Sequence, residues 1–496
     1  MRNRLVLSAA AAALVGLVSQ VGAAGSPGPG PGCSTTRHAV AHHSGGAVVP
    51  REPGAPVPCE TYTGFGGAET RVVVTADGTV VYEPATITPG LAGTGFAPGA
   101  PGPRPSTSLE PGGLALSSDQ GAHWRFVKPA GTTWVPQDDQ VYVDRTTGRI
   151  FYYALSPTPV PQEGGVPTED QLPAGHAHLM VSGDDGRTWS YSALTPYVES
   201  ENPRFATAPA PVGGARPIGY RNVAYWCGND MLFYWAAPAI PGYRACYRSL
   251  DGGRTWAERS VLFSQPVPIH KECGSNPEVF NAGDGNYPEP APDGSLYVTV
   301  VCGSSTFLAR STDEGATWPI LTRAGAPLTI PATDELRVDG SGRLYSVHQS
   351  GAHLLLRVSG DGGFRWSPAV DMTAPGVTAI SEWYLAERGS EVAVSYLAAT
   401  GSATGLDGYI TLTRDALAES PLFWSAAVNP PGQPLYEGSP AQARDDFIGV
   451  DIGPDGTPWA SFFTSCAAGA TNAGCAGQEG DPQASGAVAG RLSFPR

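Results

Sequence analysis

The chain has 496 residues, of which 64 are glycine and 48 are proline, while charged residues make up only 15%. This composition is typical of an all-β protein with many turns and argues against a helical one. The formal net charge is −15, which argues against a nucleic-acid partner, because such a partner needs a basic surface.

The amino terminus predicts export. Two arginines precede an apolar run from Leu5 to Val18, and small residues follow that run. This order is typical of a signal peptide, here residues 1–24, and the run is too short to cross a bilayer. We therefore expect a secreted, extracellular protein with no membrane insertion. Residues 25–67, rich in Pro and Gly, are interpreted as an arm or linker, and residues 68–496 as one domain.

The eight cysteines are expected to form disulfides, because an exported protein meets oxidising surroundings. Eight cysteines allow 105 pairings, so the connectivity is open. Pairing between neighbours along the chain gives Cys33–Cys59, Cys227–Cys246, Cys273–Cys302 and Cys466–Cys475.

One eight-residue pattern, Ser-x-Asp-x-Gly-x-x-Trp, occurs five times and predicts a repeated fold. The Asp carboxylate can accept hydrogen bonds from loop amides, Gly can adopt a positive φ, and Trp can pack between neighbouring sheets. These octets end at tryptophans that recur at intervals of 48 to 67 residues. Their Asp and Trp residues are Asp119 and Trp124, Asp184 and Trp189, Asp251 and Trp256, Asp313 and Trp318, and Asp361 and Trp366.

A second recurring pattern, two apolar strands joined by a Gly-containing turn, lies upstream of most octets and is a β-hairpin signal. Together the octets and this pattern predict seven four-stranded units, which begin near residues 68, 134, 199, 276, 333, 378 and 433. Radial repetition of such units gives a β-propeller. Seven blades are favoured, and six are the alternative if the last two units merge. We expect an amino-terminal strand to close the ring on the last blade.

The octets resemble the Asp-box, or bacterial neuraminidase repeat, which sialidases and many other propellers contain. The resemblance covers roughly residues 68–496. In that superfamily the boxes lie at the blade periphery, so the resemblance implies that the five Asp residues have a structural role.

Charged residues recur where the innermost strand of each unit is expected to begin, at one mouth of the central channel. A mixed-charge pocket for a polar ligand such as a sugar is one interpretation, and a set of solvated loop charges is the other. The residues are Glu69 and Arg71; Asp138 and Asp139; Glu201 and Arg204; Glu278 or Glu289; Asp334, Glu335 and Arg337; Glu382 and Tyr384; and Arg444, Asp445 and Asp446.

The resemblance to sialidases implies roles for some of these residues. Sialidases clamp the substrate carboxylate with three arginines and use a Tyr nucleophile, a Glu that acts as its base, and an Asp acid/base. By order along the chain the catalytic candidates are Tyr384, Glu289 and Asp139, and the substrate-binding candidates are Arg71, Arg337 and Arg444.

This chain departs from the family pattern at two points. Val-Val replaces Ile-Pro after Arg71, and Thr306 stands where the second clamp arginine is expected, so that Arg337 is its candidate replacement. No arginine matches the context of the third one.

Three functions therefore stay open. The first is a sialidase-like propeller that engages extracellular glycan, or a small polar ligand, with an altered site. The second is an exo-glycosidase of the sialidase type, and the third is a non-catalytic protein-binding or structural propeller. We expect no metal and no cofactor, and the sequence leaves the oligomeric state open.

Overall fold

Antiparallel strands form seven sheets, which are the blades of a β-propeller. The computed structural model describes residues 30–50, 52–64, 70–83, 113–127, 129, 137–155, 177–192, 200–230, 244–262, 288–302, 304–401, 405–436, 448–465 and 485–495. This part of the chain contains no α-helix, and Ser44–Gly46 forms a short 3₁₀ turn. Among these residues no helix has the length and apolar character to cross a membrane.

The strands of each blade follow one another from the channel outwards. In blades 1 to 3 they are Arg71–Val74, Val80–Glu83, Leu114–Ser117 and Arg125–Val127; Gln137–Val143, Ile150–Leu155, Ala177–Ser182 and Ser190–Tyr191; and Ser200–Ala208, Val223–Asp230, Arg244–Ser249 and Ala257–Leu262. In blades 4 and 5 they are Glu289–Pro290, Leu296–Cys302, Ser305–Ser311 and Thr329–Ile330; and Glu335–Val338, Leu344–Ser350, His353–Ser359 and Val370–Asp371. A small hairpin, Thr322–Arg323 with Ala326–Pro327, precedes the last strand of blade 4.

Blades 6 and 7 both take strands from the amino-terminal region. Their strands are Val377–Arg388, Glu391–Thr400, Asp407–Thr413 and Phe423–Ala427, to which Val40–His43 and Ala47–Val48 are added; and Gly449–Ile452, Pro458–Ser465, Ser485–Ser493 and Val57–Tyr62. Pairing of Val57–Tyr62 with Ser485–Ser493 confirms the expected closure of the ring by an amino-terminal strand.

The first strands of neighbouring blades contact each other in an unbroken cycle from blade 1 round to blade 7. Seven clusters of buried apolar side chains fill the seven spaces between adjacent blades. Each sheet therefore buries both faces against its neighbours, which is what holds a propeller together. The prediction of an all-β propeller with seven blades is confirmed.

Disulfides fasten two parts of this ring. Cys33 is bonded to Cys59 within the amino-terminal region, and Cys227 is bonded to Cys246 across adjacent strands of blade 3. Cys302 is also disulfide-bonded. The other three cysteines, Cys273, Cys466 and Cys475, lie outside the described residues.

All five octets adopt the same hairpin, which joins the third strand of a blade to the segment that follows it. In each, the Ser hydroxyl donates to the Asp carboxylate at 2.8–3.1 Å and accepts the Gly amide at 2.8–2.9 Å. The Asp also accepts the amide of the residue before Trp at 2.8–3.0 Å. In every octet the two residues that follow the Asp have positive φ. The second of them is the Gly of the pattern, which adopts this conformation without steric cost.

Each octet Trp packs into the cluster between its own blade and the preceding one. Trp256, for example, lies in the cluster between blades 2 and 3 and donates its Nε1–H to the carbonyl of Gly253 at 3.2 Å. The predicted packing of these rings between sheets is therefore confirmed.

Replacing Trp256 by Ala is expected to lower the free energy of unfolding by about 3–5 kcal/mol, because removal of a buried aromatic ring leaves a cavity. Trp256 is 5% exposed, whereas Tyr191 is 45% exposed. Tyr191→Ala is therefore the control, with an expected change within about 0.5 kcal/mol. Urea denaturation followed by tryptophan fluorescence measures both, and equal losses would contradict the packing role.

The octet carboxylates should make the fold sensitive to acid. The Thr188 hydroxyl and amide hold the pKa of Asp184 down, to about 2. Because the pKa is lower in the folded state, this stabilisation is present above pH 4 and is lost as the pH falls towards 2. We expect Asp184→Asn to lower the melting temperature at pH 7 and to flatten its decline between pH 4 and 2. Asp185→Asn, at the next position in the turn, is the control. Its melting temperature should equal that of the wild type at pH 7 and throughout the range from pH 4 to 2.

Candidate functional site

Charged side chains from several blades meet at the end of the channel where the first strands begin. Arg71, Glu289 and Glu335 are the first residues of the first strands in blades 1, 4 and 5. The octets lie at the opposite end of the blades, because they follow the third strand, which runs in the same direction as the first. The octet Asp residues are therefore remote from this site.

Two arginines stack on the ring of Tyr384, which lies in the first strand of blade 6. The guanidinium carbon of Arg71 lies 4.4 Å from the ring centroid, and that of Arg204, from blade 3, lies 5.3 Å from it. These distances are those of cation–π interactions. Tyr384 is only 3% exposed, so the phenol lies within the site and not at its rim.

Arg71 also joins the first and last blades. Its Nη1 donates to the carbonyl of Ile448 at 2.6 Å. Glu83 lies directly opposite Arg71 in the strand pair of blade 1 and is fully buried. Arg71 is thus fixed where the ring closes.

A third arginine, Arg337 in blade 5, is held by two carboxylates. Its Nη1 donates to Glu289 at 3.1 Å, and its Nη2 donates to Glu335 at 3.1 Å. The same oxygen of Glu335 accepts the amide of Leu385, the residue after Tyr384, at 2.8 Å. Glu335 therefore connects Arg337 to the strand that carries Tyr384.

Two carboxyl groups on the first strands have raised pKa values. Burial raises the pKa of Glu289 to about 7, against the opposing effect of Arg337 and Arg204. Burial also raises the pKa of Glu387 to about 7, against the opposing effect of Arg145. Carboxyl groups that titrate near neutrality are suited to accept and return a proton.

Arg145 crosses the channel at the other end of the first strands. From the turn after the first strand of blade 2, it donates to the carbonyl of Glu387 at 2.8 Å and to the carboxylate of Asp451 in blade 7. Asp451 in turn accepts the amide of Val74 in blade 1 at 2.7 Å. One guanidinium thus links four blades below the site.

The structure brings four of the six predicted catalytic and substrate-binding residues together: Arg71, Arg337, Glu289 and Tyr384. Asp139 lies in the first strand of blade 2, at a register shift between Gln137 and Gln140, but its side chain is outside the described residues. Arg444 is also outside them.

Arg204 is the third arginine of the site, and the family pattern did not single it out. Thr306, where the pattern expects an arginine, lies in the third strand of blade 4 and is buried. Arg204 instead comes from a first strand, in blade 3. The sequence indicated Arg204 only as a charged residue at the predicted start of a first strand.

The chain was compared with known proteins. No family model matches the sequence, and no curated protein matches it. Similar solved structures include the Hadza microbial sialidase Hz136, with 17% identity, 73% of this chain and 66% of that chain covered, and a TM-score of 0.38. They also include the NanB sialidase from Streptococcus pneumoniae, with 12% identity, 87% and 69% covered, and a TM-score of 0.37.

A puromycin-hydrolyzing peptidase from Mycobacterium tuberculosis is similar to the same degree, with 15% identity, 86% and 54% covered, and a TM-score of 0.38. This chain thus spans about half to two thirds of the length of these proteins. At such identities and TM-scores the likeness says nothing about activity, and it includes sialidases and a peptidase alike.

Proposed function

We propose that the chain is an exported, sialidase-like propeller that binds a carboxylate-bearing sugar at the channel mouth and hydrolyses its glycosidic bond. The observation that carries the proposal is the convergence of Arg71, Arg204 and Arg337 around Tyr384. Guanidinium groups match the geometry of a carboxylate. Export rests on the predicted signal peptide, and we assign the octets as Asp-boxes with a structural role.

The proposed chemistry uses Tyr384 as the nucleophile. Its phenolic oxygen attacks the anomeric carbon as the bond to the leaving oxygen breaks, its proton passes to Glu289, and Asp139 gives a proton to the leaving oxygen. Water, deprotonated by Asp139, then displaces the tyrosine, which recovers its proton from Glu289. Stacked arginines stabilise negative charge that develops on the phenolic oxygen, and a phenol avoids the repulsion that a carboxylate nucleophile meets beside an anionic sugar.

The burial of Tyr384 favours a second candidate function. A ring that is 3% exposed and covered by Arg71 and Arg204 is a poor nucleophile unless the ligand displaces one of them. A site of this kind can bind an acidic glycan without hydrolysing it. The assays below separate the two.

Hydrolysis of a fluorogenic α-sialoside is the direct test. We expect turnover by the wild type and a loss of about 10²-fold or more in kcat for Tyr384→Phe, because the nucleophile is gone. Tyr409→Phe, which alters a phenol in the third strand of the same blade, is the matched control and should keep full activity. Absence of turnover together with retention on an array of sialylated glycans would assign the second candidate. Absence of both would refute the proposal.

The pH dependence of kcat/KM tests the role of Glu289. As a base, Glu289 must be ionised in the free enzyme, so kcat/KM should fall about tenfold per pH unit below its pKa of about 7. Glu289→Gln should abolish turnover at every pH. Glu391→Gln, which removes a carboxyl at the start of the second strand of the same blade as Tyr384, should leave the profile unchanged. A flat profile in the wild type would remove Glu289 from the mechanism.

A further inference from the structure

Each terminal nitrogen of the Arg337 guanidinium donates to a carboxylate. The two carboxylates differ in their burial and in their other hydrogen bonds. Glu335 is 3% exposed and accepts hydrogen bonds from Arg337 and from the Leu385 amide. If Glu335 moved away from Arg337, its buried hydrogen bond to the Leu385 amide, which joins blades 5 and 6, would also break. The side chain of Glu289 is 17% exposed and contacts Arg337 through one oxygen at 3.1 Å. Glu289 is therefore the partner that can be exchanged.

We propose that the anionic group of the ligand takes the place of Glu289 on Arg337, while Glu335 keeps the arginine in position, and that this exchange is coupled to proton uptake by Glu289. Glu335 is thus a positioning residue, and the site selects a singly charged carboxylate that can enter one half of the Arg337 fork. This inference rests on ligand binding at the mouth, which is part of the proposed function, and not on turnover: a complex in which Glu289 is protonated is unproductive, because Glu289 acts as the base only when it is ionised.

The charges that face Glu289 set the direction of the coupling. Arg337 and Glu335 face it from blade 5, Arg204 from blade 3 and Glu387 from blade 6. When a ligand anion neutralises Arg337, Glu289 loses its nearest cation and gains a nearby negative charge. Both changes favour the protonated carboxyl, so binding must become tighter as the pH falls. The ligand carboxylate itself stays ionised between pH 6 and 8.

Isothermal titration with N-acetylneuraminic acid tests the coupling on the full chain. Since the pKa of Glu289 in the free protein is about 7, full coupling predicts a Kd about tenfold lower at pH 6 than at pH 8. Titration at pH 7 in two buffers of different ionisation enthalpy should show net proton uptake, of about half a proton per site.

Three variants separate the roles of the carboxylates. Glu289→Gln should lose most of the pH dependence and most of the proton uptake, and the remainder is due to Glu387, whose pKa is also about 7. Glu335→Gln should move the pH dependence to lower pH, because the negative charge of Glu335 raises the pKa of Glu289; loss of a purely structural contact would not move it. Glu391→Gln should behave as the wild type.

A wild-type Kd that is equal at pH 6 and 8, a Glu289→Gln variant that keeps the tenfold change, or no binding at either pH would overturn the inference. Its failure is distinguishable from that of the proposed function. Turnover of the sialoside with a pH-independent Kd would refute the exchange alone, and pH-dependent binding without turnover would refute hydrolysis alone.

Discussion

Closure of the ring is the constraint on which the rest of the structure depends. The outer strand of blade 7, Val57–Tyr62, comes from the amino-terminal region and pairs with Ser485–Ser493, the last strand of the described chain. At the inner edge of the same seam, a Cβ on Gly449 would lie 3.2 Å from the Cα of Arg71, so a glycine lets blades 1 and 7 approach. Arg71 then bonds to the Ile448 carbonyl across the seam. The residue that seals the ring is also one of the arginines over Tyr384, so the site is complete only when the ring is closed.

The features predicted from sequence are those whose contacts are local. Within an octet, Ser117 and Asp119 bond to each other and Gly121 bonds to Ser117, so eight residues contain the reason for their own conformation. The Trp at the end of the octet needs only a neighbouring sheet to pack against, and any blade supplies one. Repetition of such units led to the propeller, to seven blades and to closure by an amino-terminal strand.

The site was predicted less completely because its contacts join distant blades. Arg204 and Tyr384 come from blades 3 and 6, and Glu335 reaches from blade 5 to the strand of Leu385 in blade 6. Which first strands face each other across the channel depends on the number of blades, and the sequence left six and seven open. The sequence indicates where each first strand begins, but it does not indicate at which angle around the channel axis that strand lies. Arg204 was therefore visible as a charged residue and not as a member of the arginine set.

The ionic character of the channel mouth is hard to explain by stability alone. Elsewhere the spaces between blades are filled mostly with apolar side chains, with ion pairs such as Arg145–Asp451 and Arg248–Glu314 as exceptions. Replacing buried ion pairs with apolar residues is often neutral or stabilising. Arg71, Arg337 and Glu335 instead occupy the starts of first strands, at the end of the channel remote from the octets. A net charge of −15 opposes the approach of polyanions, yet the arginines at the mouth offer a local place for one small anion. Both properties are compatible with the proposed ligand, which carries a single carboxylate on an otherwise neutral, polar body.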